Sequence, residues 1–128
     1  MTTPTYRFEN CRLVRVIDGD TFIASIDVGF GFTTTQRIRL LGCDLPERRE
    51  PGGREAAEAL QLFLMAPERL VIETVKADSF GRWLAHVSGP SRMMPGASEY
   101  MLDWLQSWKA GQAAAQPAGP GAAPQKAP

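Results

Sequence analysis

The chain has 128 residues, 44% of them apolar, with 14 basic and 14 acidic side chains. That length supports one domain with a real core, and a net charge of zero excludes a protein that coats nucleic acid by bulk charge alone. The apolar runs fall far short of the roughly 20 residues a membrane-spanning helix needs, and the start MTTPTYRFEN lacks a basic stretch followed by an apolar one, so no membrane partner and a cytoplasmic location are expected.

Tyr6–Ile17 alternates loosely and reads as a first strand. Its end is unusual: in RLVRVIDGDTF, Arg12 to Phe22, Asp18 and Asp20 flank Gly19 inside an apolar setting. Aspartate has low strand propensity, and a buried carboxylate is costly unless paired or bound to a metal. Asp-Gly is also a common turn dipeptide, so a plain turn and a cation site both stay open at this point. Thr21–Val28 reads as a second strand, Gly29 and Gly31 as a turn, and Thr33–Cys43 as a third strand ended by Asp44-Leu45-Pro46. REAAEALQLFLM, residues 54–65, is helical: Ala56, Leu60, Phe63 and Leu64 share a stripe, and Pro67 stops it. RLVIETVKA and GRWLAHV supply two more strands. SEYMLDWLQSWK is a second helix, with Ser98 as N-cap and Met101, Leu105 and Trp108 on one face. Trp83 reads as a core or barrel residue, and Trp104 or Trp108 as packing against the barrel, with a partner contact as the alternative. Cys11 and Cys43 lie in strand-like segments and read as buried free thiols, while a lone His86 leaves no Cys/His set for zinc.

Residues 111–128, GQAAAQPAGPGAAPQKAP, hold no large apolar residue and read as a disordered low-complexity tail. The folded domain is then residues 5–110. Three strands, a helix, two strands and a helix predict a β-rich α+β fold: a five-stranded OB barrel with a helix between strands three and four and a second, C-terminal helix.

Acidic residues gather where strands end, Asp18 and Asp20 in one turn and Asp44 and Glu47 in another. Two such turns can meet at one end of a barrel. Converging carboxylates with a backbone carbonyl are hard oxygen ligands, suited to calcium or magnesium rather than zinc. Arg39 and Arg82 sit nearby in sequence, and arginines beside a carboxylate-bound cation make a phosphate site. Singly, each signal has a plainer explanation: a turn, a strand terminator, or Arg82 pairing with Asp78. Together they point to phosphoryl chemistry.

VIDGDT, RIRLLGCDLPE and DSFGRWLAHV, in that order between Val14 and Val87, resemble the staphylococcal (thermonuclease) nuclease family. The resemblance implies an OB barrel and a calcium-dependent phosphodiesterase that cuts DNA and RNA at the 5′ P–O bond and leaves 3′-phosphate ends. It implies Asp20 and Asp44 as calcium carboxylates and the Leu45 carbonyl as a further ligand. Glu47 becomes the residue that orients or deprotonates the attacking water, and Arg39 and Arg82 the phosphate clamps. Asp18 and Thr21 neighbour the metal without binding it. Leu45 stands where the family usually has a smaller residue. Ser79 and Phe80 replace a common lysine and tyrosine, so Phe80 meets substrate by stacking alone. The third helix and base-packing tyrosines of better-known members are missing, and the neutral charge predicts weak nonspecific affinity. The expected partner is single-stranded DNA or RNA, met by a monomeric protein of bacterial or phage origin. A non-catalytic OB module that binds nucleic acid or protein is the alternative.

Overall fold

Alternation of apolar and polar residues makes five strands, and glycines bend the chain between them. The computed structural model describes residues 5–91 and 94–115. The strands are β1 Arg7–Asp18, β2 Thr21–Gly29, β3 Phe32–Leu40, β4 Leu70–Ala77 and β5 Trp83–Ser88, with helix α1 Gly53–Met65 between β3 and β4 and helix α2 Ala97–Ala115 after β5. They close into a barrel in the order β1-β2-β3-β5-β4, β4 returning to β1. All pairs are antiparallel except β3–β5. This is the expected α+β barrel, with both helices where the sequence places them.

Closure depends on β1, which pairs with β2 along one part and β4 along another, through register shifts at Leu13/Arg15, Val16/Asp18 and Phe8/Cys11. Such bulges bend and twist a strand enough to serve two neighbours. The β2–β3 hairpin turns on Phe30-Gly31, both at positive φ (58° and 80°). Positive φ at both central positions is the type I′ signature, whose twist matches the flanking strands.

Phe22, Ile38, Leu40, Leu60, Leu70, Ile72 and Met101 are fully buried, each worth about 1.5–3 kcal/mol relative to exposure. The α1 stripe Ala56, Leu60, Phe63 and Leu64 caps the barrel as its spacing predicts. Cys11 and Cys43 are buried and unpaired; desolvation pushes their thiols up to about 11 and about 12. Among the described residues no helix is long and apolar enough to cross a membrane.

Three boundaries differ from expectation. β3 stops at Leu40 rather than Cys43, because Gly42 (φ 73°) turns the chain first. α2 starts at Ala97, so Ser98 lies inside it. Gly96 is the cap: its carbonyl accepts the Tyr100 N–H at 3.0 Å and its N–H donates to Glu99 at 3.4 Å, one half of a capping box. The Ser98 hydroxyl instead donates to the Leu41 carbonyl at 2.8 Å and pins α2 to the turn after β3. Finally, α2 continues through Gly111 to Ala115; the rest of the expected tail lies outside the described residues. The indoles of Trp104 and Trp108 stack 6.2 Å apart, and Trp108 fills the place a Cβ on Gly52 would need. It therefore packs on the start of α1. Trp83 packs at the core's edge, as expected of a barrel residue.

Candidate functional site

The question raised by Asp18-Gly19-Asp20 is answered by what each carboxylate touches. Asp20 is only 6% exposed. One of its oxygens accepts the Thr21 hydroxyl at 2.9 Å; the other accepts the Leu45 N–H at 2.9 Å and an Arg39 Nη2 hydrogen at 3.4 Å. The Asp20 carbonyl accepts the Leu40 N–H at 2.8 Å. A buried carboxylate is stable when this fully paired. Asp18 points to a different partner: it accepts the Arg48 N–H at 2.9 Å, while the Arg48 guanidinium donates to the carbonyls of Ile17 and Val16. Gly19 is glycine for lack of space. A Cβ there would lie 2.6 Å from the Ala56 Cβ and 3.1 Å from that of Leu45. The turn, α1 and the 44–47 segment are pressed together, and the buried Leu45 side chain serves that packing.

Arg39 is the hub. One nitrogen, Nη2, reaches Asp20 at 3.4 Å, Asp44 at 3.2 Å and the Cys43 carbonyl at 3.4 Å. Because that one atom touches both carboxylates, their oxygens cannot be further apart than two hydrogen bonds end to end. The Asp44 side chain is 93% exposed, the Arg39 side chain 19%. Glu47 is exposed on a turn held by its backbone: its N–H donates to the Glu50 carboxylate at 2.7 Å and its carbonyl accepts the Glu50 N–H at 2.8 Å.

Arg82 arrives from the start of β5. Asp78 grips it through Nη2 at 2.6 Å and Nε at 2.8 Å, and accepts the backbone N–H groups of Arg82 and Phe80. Burial alone would raise the Asp78 carboxyl, but these hydrogen bonds outweigh it and hold it below its ordinary value. The exposed Phe80 ring lies 5.3 Å from the Arg82 guanidinium carbon, a cation–π distance.

These pieces line one cleft of about 410 Å³, walled by Asp18, Asp20, Arg39, Asp44, Leu45, Glu47, Phe80 and Arg82, with Arg37 as an addition. Of the site residues singled out from sequence, Thr21 alone is not on that wall; its hydroxyl donates to Asp20. Arg37 was missed, although QRIRL shows its signal: on a strand, residues two apart share a face. Asp78 is expected from sequence merely as a plain ion-pair partner, and it is what aims Arg82.

Among the described residues no three Asp, Glu, His or Cys side chains cluster in a way that could hold a metal by themselves. The Asp20 and Asp44 carboxylates, which share Arg39 Nη2, are oxygen donors, and the Leu45 atom shown beside them is its N–H, which donates to Asp20. That carboxylate pair fits a hard cation with water completing its shell.

No protein-family model matches the chain. Over 97 residues it is 31% identical to a protein named uncharacterized endonuclease of Escherichia coli O157:H7, covering 76% of this chain and 58% of the relative. It is 34% identical over 83 residues to a thermonuclease of Staphylococcus hyicus, covering 59% of this chain and 46% of that protein. The chain thus spans about half the length of the curated relatives it matches.

Proposed function

We propose that this chain is a nuclease of the staphylococcal (thermonuclease) family, in keeping with its similarity to an endonuclease and a thermonuclease over about half their length, and that its cleft hydrolyses the phosphodiester bonds of DNA or RNA, favouring single strands, with calcium as the assisting ion. What supports the reading is that residues 20 to 82 bring Arg37, Arg39 and Arg82, the adjoining carboxylates of Asp20 and Asp44, and Glu47 to a single cleft.

In this reading Arg39 and Arg82 bind the non-bridging oxygens of the scissile phosphate. Both guanidiniums are held in place before substrate arrives, Arg39 by Asp20 and Arg82 by Asp78. Charge stabilisation by such fixed groups is usually the largest catalytic contribution. Glu47, without a side-chain partner among the described residues, orients a water against phosphorus and takes its proton. A new P–O bond forms, the bond to the 5′ oxygen breaks, that oxygen takes a proton from solvent water, Glu47 returns its proton to solvent, and the phosphate stays on the 3′ side. Asp20, Asp44 and the Leu45 carbonyl would hold calcium, which when bound supplies charge neutralisation at a phosphate oxygen. Asp44 is the ligand free to swing from Arg39 to do so.

The test is cleavage of a labelled single-stranded oligonucleotide with calcium or with chelator, by the unmodified chain and by Glu47→Gln and Arg82→Ala. The reading expects calcium-dependent cleavage and losses on the order of 10²–10³ in rate for each variant. Binding without cleavage favours the non-catalytic OB module instead, and equal cleavage by all three proteins would remove Glu47 and Arg82 from the reaction.

A further inference from the structure

The net charge of zero hides an uneven face. On the outside of the β1–β2–β3 sheet, Arg15 and Arg37 pair with Ile23 from its two sides, and Arg12 pairs with Ser25 in the next outward row. Thr21, in the row nearest the cleft, pairs with Arg39. Strands lie about 4.8 Å apart and alternate residues about 6.7 Å along, so Arg15 and Arg37 stand about 10 Å apart with Arg12 a row beyond. All three are exposed. Among the described residues none makes an ion pair or a side-chain hydrogen bond. The nearest acid further out, Asp27, is already engaged by Asn10 and the Gly29 N–H. Arg37 itself lines the cleft, so the basic face is continuous with it.

We propose that Arg37, Arg15 and Arg12 form a phosphate track on the outer face of the β1–β2–β3 sheet, along which a single nucleic-acid strand runs as it leaves the cleft. The proposal rests on the nuclease reading of the cleft. Unpaired guanidinium forks match the two-pronged geometry of phosphate and carboxylate. Continuity with two phosphate-clamping arginines selects a nucleic acid over an acidic peptide. Affinity then follows the number of phosphates neutralised on this face rather than the charge of the whole chain.

The experiment measures binding of a labelled 16-nucleotide single strand across salt concentrations, in a Glu47→Gln background so that the strand stays intact. Arg12→Gln/Arg15→Gln is compared with Arg49→Gln/Arg54→Gln, which removes two exposed arginines from the loop before α1 and its first turn. The track variant is expected to bind on the order of tenfold more weakly at low salt. Its slope of log affinity against log salt should be shallower by roughly 1.4, about 0.7 for each phosphate no longer neutralised. The control should keep its slope, and a dinucleotide too short to reach the track should bind the two variants alike. Equal losses in both variants, or an unaltered slope in the first, would overturn the track. If the unmodified chain shows the expected slopes yet cuts nothing, the track stands and the nuclease reading falls. If it cuts while the track variant behaves as the control does, the nuclease reading stands and the track falls.

Discussion

The two walls of the cleft are built on opposite plans. The barrel wall, Asp20, Arg39 and Arg82, consists of side chains largely withdrawn from water, Asp20 and Arg39 held by three partners each and Arg82 by Asp78 and the Phe80 ring. The loop wall, Asp44 and Glu47, consists of exposed side chains with one partner or none among the described residues, on a backbone fastened from outside. Fixed charge comes from a strand and from the turns at strand ends. The exposed carboxylates come from a turn whose main chain, not its side chains, is anchored. Asp20 is the bridge, since its carboxylate holds both Arg39 and the Leu45 N–H.

The sharpest test pairs two chemically identical truncations. Asp20→Ala strips a buried acceptor from Leu45, Thr21 and Arg39 at once and should cost about 3 kcal/mol, because partners left unpaired in a dry site are expensive. Asp44→Ala removes one exposed contact and should stay within about 0.5 kcal/mol. Urea unfolding midpoints measure both; equal costs would erase the contrast between the walls.

Next in size is the fastening of the loop. A Cβ on Gly53 would sit 1.7 Å from the Glu47 carbonyl oxygen and 2.5 Å from its carbon, and backbone cannot step aside as a side-chain tip can. Gly53→Ala should lose about 2–3 kcal/mol. It should also depress cleavage by displacing Glu47, which a thermal melt and a rate measurement read separately. Smaller again is Asp18→Ala, which frees the Arg48 N–H for about 1 kcal/mol. Asp18→Asn keeps an acceptor oxygen and should recover most of that stability. An asparagine no better than alanine would show that charge, not the tether, matters there.

Much of this was legible in the chain because it is local. The α1 stripe, the Phe30-Gly31 turn and the OB order follow from spacing and from glycine placement. The barrel wall was half legible: Asp20, Arg39 and Arg82 stood out and the Asp78–Arg82 pair was expected as a plain ion pair, but the contact between Asp20 and Arg39 was not, since 19 residues separate them. Asp18's attachment to Arg48, 30 residues on, has no sequence signature. Ser98 misled for a physical reason. Serine is a good cap, yet Gly96 and Glu99 already satisfy the end of α2, leaving the hydroxyl for Leu41.

The smallest effect separates the walls by pH. Hydrogen bonds from Arg82 and Phe80 hold Asp78 ionised below its ordinary range, against the opposing pull of burial. A carboxyl lowered in the folded chain adds stability above its unfolded value, about 3.9, and that stability drains away as pH falls through the lower folded value. The grip on Arg82 should therefore persist unchanged from pH 7 to about 5 and weaken only in stronger acid. Asp78→Asn, which keeps the shape but not the charge, tests this by urea midpoints from pH 7 to 2. The gap between the two proteins should be flat above about pH 5 and narrow below the ordinary aspartate range. A gap that closed between pH 7 and 5 would mean that another group holds Arg82, and that the barrel wall is fixed by something other than its ion pairs.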